Sequence, residues 1–128
     1  MLAVLRIVLG LSFSLVAAMM LTAPHFWYVT FPGVAERGAF NPHFVRDIGC
    51  ASLVAGASFV AGGIRPSHYG LAMIAGACLI ALHALVHVVE EVAGAHGRSF
   101  VATDLPAVYL PAALGLWLAF AGYQTERR

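Results

Sequence analysis

The sequence predicts an all-α protein: a single integral membrane domain built as a bundle of four transmembrane helices, with both termini on the same side. Three observations predict this. Of the 128 residues, 61% are hydrophobic and only 10% are charged, whereas a soluble domain carries roughly 25% charged residues and needs them to cover its surface. The apolar residues fall in four long blocks rather than in short alternating runs, so lipid is the consistent solvent. The breaks between blocks carry turn residues: Pro24 and Pro32-Gly33, then Arg65-Pro66, then Gly94 and Gly97.

The first block runs from Leu2 to Leu21 with Arg6 as its only charge. At 1.5 Å rise per residue, about 20 residues span the roughly 30 Å of hydrocarbon. A cleaved signal peptide is the rival reading, because Ala17, Ala18 and Ala23 are small. The apolar stretch exceeds the usual ~7–15-residue signal core, which favours a retained helix. Pro24 to Asn41 reads as a loop, with Phe26, Trp27 and Tyr28 suited to an aromatic belt and Pro32-Gly33 to a turn.

Asn41-Pro42 opens the second block, an N-cap followed by proline at the first helical position, and the helix runs over 42–63. Its middle is rich in small residues, among them Gly49, Ala51, Ser52, Ala55, Gly56, Ala57 and Ser58. Such faces let helices approach closely in lipid and predict tight internal packing or self-association. Arg65-Pro66 forms a turn, and Ser67 is placed to cap the third block over 68–92. A loop with Gly94, His96, Gly97 and Arg98 leads to the fourth block, 105–123, where Pro111 should kink the helix or shift its packing. The tail from Gln124 to Arg128 is polar.

All seven basic residues are arginine and the net charge is +1, so there is no electrostatic footprint for nucleic acid. Cys50 and Cys78 lie inside apolar blocks and read as small packing side chains rather than a disulfide framework. Arg6, Arg65, Arg127 and Arg128 fall on the side of the termini, and Arg37, Arg46 and Arg98 on the other, with five of the six acids. The positive-inside rule then places the termini in the cytoplasm.

This topology gathers the intramembrane ionisable groups at one end. The second helix brings His43, Arg46 and Asp47; the third brings His83, His87, Glu90 and Glu91; the fourth brings Asp104 and Tyr109. From the rise per residue, Asp47 lies about 7 Å in, His87 about 9 Å, Tyr109 about 6 Å and His83 about 15 Å. Groups at such depth are costly and usually face the bundle interior. His83, His87 and Glu90 or Glu91 share one helix face, as do His43 and Asp47. Paired imidazoles one turn apart with a nearby carboxylate are a common way to hold zinc or iron, and bundles assemble such sites from facing helices. The expected metal set is therefore His83, His87 and Glu90 or Glu91, completed by His43 or Asp47, with Arg46 and Tyr109 as contacts for a bound ligand. The alternatives are a network in which these groups satisfy one another, and b-type haem on His43 or His87. His25, His68 and His96 read as interfacial, and Trp117 and Phe120 as lipid or packing contacts.

The run Phe40-Asn41-Pro42-His43-Phe44-Val45-Arg46-Asp47-Ile48-Gly49 carries a resemblance. With Trp27-Tyr28 and Pro32-Gly33-Val34 before it, and Ala81-Leu82-His83-Ala84-Leu85-Val86-His87, Asp104-Leu105-Pro106 and Tyr109-Leu110-Pro111 after it, the chain resembles a group of small bacterial inner-membrane proteins. In architecture alone it is similar to four-helix DoxX-like membrane proteins. The resemblance covers most of the chain and implies a four-helix fold and inner-membrane placement, without an activity. It marks His43, Arg46, Asp47, His83 and His87 as pattern positions. The functional expectation is an inner-membrane protein binding a metal ion or small ligand. The alternatives are an accessory subunit of a larger membrane complex and a small redox enzyme using metal, haem or quinone.

Overall fold

The computed structural model describes residues 1–125, with side chains to Ala121. The arginines at 127 and 128, counted above toward membrane orientation, lie outside the described residues. The described chain is helical throughout its ordered elements: α1 (Leu2–Thr22), α2 (Pro24–Thr30), α3 (Pro42–Ile64), α4 (Pro66–Val92), α5 (Val101–Asp104), a π-helical turn (Leu105–Tyr109) and α6 (Leu110–Thr125). Four spans are long and apolar enough to cross a membrane: Leu2–Thr22, Pro42–Ile64, Pro66–Val92 and Val101–Ala121.

Local chemistry explains most boundaries. The Asn41 side chain accepts from the backbone N–H groups of His43 and Phe44, both at 3.1 Å, and Pro42 sits at the first helical position. α4 begins at Pro66 rather than at residue 68, and no side chain caps it. Ser67 lies inside the first turn, with its hydroxyl 3.2 Å from His68 Nδ1. Pro66 already has the backbone angle a helix start requires, which makes the expected serine cap unnecessary. The stretch expected as a loop after α1 begins with a seven-residue helix, α2, for the same reason: Pro24 starts a helix as readily as it ends one.

The fourth span starts four residues earlier than expected and is not uniform. Pro106 and Pro111 both lack the N–H that an α-helix needs. Between them the helix widens, and the Leu110 N–H bonds to the Leu105 carbonyl five residues back. The expected distortion thus falls one turn before Pro111.

α1 packs most extensively on α3, α3 on α4 and α4 on α6, with α6 meeting α1 to close the bundle. The core is lined by Leu9, Ala55, Phe59, Met73, Ala77, Ile80, Ala112 and Leu118. Arg6 is also inside, 3% exposed, with Nε and Nη2 donating to the Leu118 carbonyl at 3.3 and 3.1 Å. α3 is the most buried span, as its small residues predict. Gly49, Gly56 and Gly63 repeat every seven residues on its α1-facing side. A Cβ on Gly56 would stand 2.7 Å from the Gly10 carbonyl, and one on Gly10 would stand 2.6 Å from the Gly56 carbonyl. The two backbones touch here, and no side chain larger than hydrogen fits.

Candidate functional site

The polar site forms where the C-terminal end of α4, the start of the fourth span and the loop after α2 converge. Asp104 ends α5, just before the π-helical turn, and is 6% exposed. A carboxylate buried this deeply requires a cation or hydrogen-bond donors. Arg37, from the loop over residues 31–41, supplies both: its Nη2 donates to Asp104 Oδ1 at 2.5 Å. His87 on α4 completes the cluster, with Nδ1 2.9 Å from Asp104 Oδ2 and 2.5 Å from Arg37 Nη1. A guanidinium only donates and an ionised carboxylate only accepts. His87 Nδ1 therefore serves one of its two neighbours at a time, according to which ring nitrogen carries the proton.

The loop that delivers Arg37 is tied down along its length. The Tyr28 hydroxyl donates to the Gly38 carbonyl at 2.7 Å. Gly33 takes φ +81°, and a Cβ there would lie 3.2 Å from the Phe100 ring. Phe100 is 3% exposed and lies under two guanidinium groups, Arg37 at 4.4 Å and Arg98 at 5.0 Å from the ring centroid. Arg98 in turn pairs with Glu36 at 2.5 Å. The loops over 31–41 and 93–100 thus form one strap across this end of the bundle.

The structure distributes the expected site residues differently from the spacing argument. His83 and His87 do lie together, their ring centroids 4.7 Å apart. Glu90 and Glu91 serve the strap instead: Glu90 meets His96 Nε2 at 3.2 Å, and Glu91 accepts the Phe100 backbone N–H at 3.0 Å. His43 and Asp47 face outward on α3 and contact each other at 3.4 Å, with side chains 88% and 61% exposed. Arg46 is also exposed and donates to the Leu21 carbonyl at 3.3 Å, where it caps the C-terminal end of α1. Tyr109 sits half-buried on the π-helical turn against the core, with Asp104, Glu91 and Arg37 as its charged neighbours. Among the described residues, no three His, Cys, Asp or Glu side chains are grouped to hold a metal ion.

Two members of the observed cluster, Arg37 and Asp104, did not figure in the expected metal set. Asp104 carried a readable signal: it is the single charge in the apolar run from Phe100 to Phe120. Arg37 carried none, since a loop arginine beside Glu36 resembles any solvated residue until the loop folds inward.

No protein-family model matches this chain, and no curated protein or solved structure is significantly similar to it.

Proposed function

We propose that this chain is a small multi-pass protein of the bacterial inner membrane, termini in the cytoplasm, whose outer-half His/Arg/carboxylate site binds a small ligand rich in hydrogen-bond acceptors. The observation that carries the reading is surplus donor capacity. Arg37 Nε and Trp27 Nε1 are both buried at this end with no hydrogen-bond partner. A buried donor left unpaired costs about 1–3 kcal/mol, which an acceptor on a ligand would restore. Donors call for carbonyl or anionic oxygens rather than for a cation. A metal at His87 and Asp104 would also face the Arg37 guanidinium, which contacts both.

Native mass spectrometry of the gently extracted protein tests this. The wild type should carry a small molecule that Arg37→Ala loses. A bare wild-type mass would sink the reading. Stoichiometric metal in the wild type, lost in His83→Ala and His87→Ala, would replace it with a zinc or iron site. A second reading is an accessory subunit in which the cluster serves packing alone. The completeness of the strap's own bonds, Tyr28 to Gly38 and Arg98 to Glu36, favours it. Stable co-purification of a larger complex, with no small molecule bound, would decide for it.

A further inference from the structure

His83 stands apart from the rest of the polar end. It lies nine residues before Val92, about 13 Å along the helix from its end. At 27 residues, α4 is about 40 Å long against roughly 30 Å of hydrocarbon. Centred in the bilayer, His83 therefore sits roughly 8 Å below the hydrocarbon boundary. Its side chain is on the outside of the bundle, beside Leu82 and Val86, which are 63% and 53% exposed. Among the described residues its imidazole has no hydrogen-bond partner; its near neighbour is the His87 ring. A polar group facing hydrocarbon without a partner is costly, and intramembrane ionisable residues mark sites of function.

Something on the lipid side must therefore meet this imidazole. Ester carbonyls of the lipids lie at the boundary, above His83. The strap over residues 31–41 and 93–100 covers the end of the bundle, so the open approach is lateral, through the bilayer. Behind His83 stands His87, joined to Asp104 and Arg37, and the charges bearing on His83 come from those residues and Glu90. A flat apolar head with carbonyl oxygens fits this setting. One oxygen accepts from the imidazole while the ring lies against leucine and valine.

We propose that His83 is the membrane-facing contact for a lipid-soluble ligand of the quinone class, which approaches the polar end laterally from the bilayer. The proposal rests on the ligand-binding reading above and narrows it to a chemical class and a route. No electron transfer is implied, only binding through the carbonyl oxygens.

The test uses the full chain in lipid nanodiscs, titrated with decylubiquinone and followed by thermal unfolding. Decylubiquinone should raise the melting temperature of the wild type by several degrees. His83→Leu should bind at least tenfold more weakly while melting, without ligand, at or above the wild-type temperature. Equal shifts in both proteins, or no shift in the wild type, would overturn the proposal. So would a wild-type dimer that becomes monomeric in His83→Leu, since His83 would then pair with a second copy. A wild-type melting point that falls when ester lipids are replaced by ether lipids, with that of His83→Leu unchanged, would assign the contact to lipid carbonyls and overturn the proposal. If decylubiquinone fails while a co-purified small molecule is still lost in Arg37→Ala, the quinone assignment falls and the ligand-binding reading stands.

Discussion

The α1–α3 contact and the strapped end of the bundle are both closely packed, but by opposite means. The first has almost no side chains. Gly10 and Gly56 bring two helix backbones together, and Gly49 and Gly63 extend the approach a helical repeat in each direction. The second is crowded with charge: Arg37, His87 and Asp104 meet, and Arg37 shares the Phe100 ring with Arg98. In lipid there is little hydrophobic gain in joining two apolar helices, so van der Waals fit must supply it, and glycine gives the closest fit. At the bundle end the problem is reversed. A buried carboxylate must be neutralised, and the nearest cation comes from a loop that has to be held in place.

This contrast predicts unequal fragility. Asp104→Ala leaves the Arg37 guanidinium buried without its counter-charge and should destabilise the protein by about 3–5 kcal/mol. Unfolding measured in bilayer mimetics checks it. If Asp104→Leu combined with Arg37→Met recovers most of that loss, the cost belongs to the unpaired charge rather than to the strap as a whole. Gly56→Leu pushes a side chain against the Gly10 carbonyl and should cost about 1–3 kcal/mol, the usual range for overpacking. An unchanged melting profile would mean that the helices slide apart at no cost, and the contrast would fail. The smallest effect is expected from His43→Ala with Asp47→Ala, because both side chains are largely exposed. Stability indistinguishable from wild type in the same assay would keep this pair outside both regions. A marked loss would restore it to the site.

The helices were legible because their causes are local and additive. Four apolar blocks, the Asn41-Pro42 start and the small-residue face of α3 each act through near neighbours, so composition and spacing suffice to read them. The α2 helix and the early start of α4 were less legible, since a proline marks the beginning of one helix and the end of another with the same residue. The polar end was legible only by address. Topology gathers the ionisable groups there, and His83 and His87 share a face because helical geometry requires it.

By itself, the sequence determined four spanning helices, a small-residue face on α3 suited to close packing and one polar end. Only the tertiary structure decided which charges meet. Side chains at equal depth can still point to opposite faces of a bundle, which is why Asp47 and Arg46 turn outward while Asp104 turns in. The partner of Asp104 lies 67 residues away on a loop, and no periodicity links a loop position to a helix face. The folding of that loop over the bundle end, fixed by Gly33 against Phe100 and Tyr28 against Gly38, places Arg37 beside His87 and Asp104.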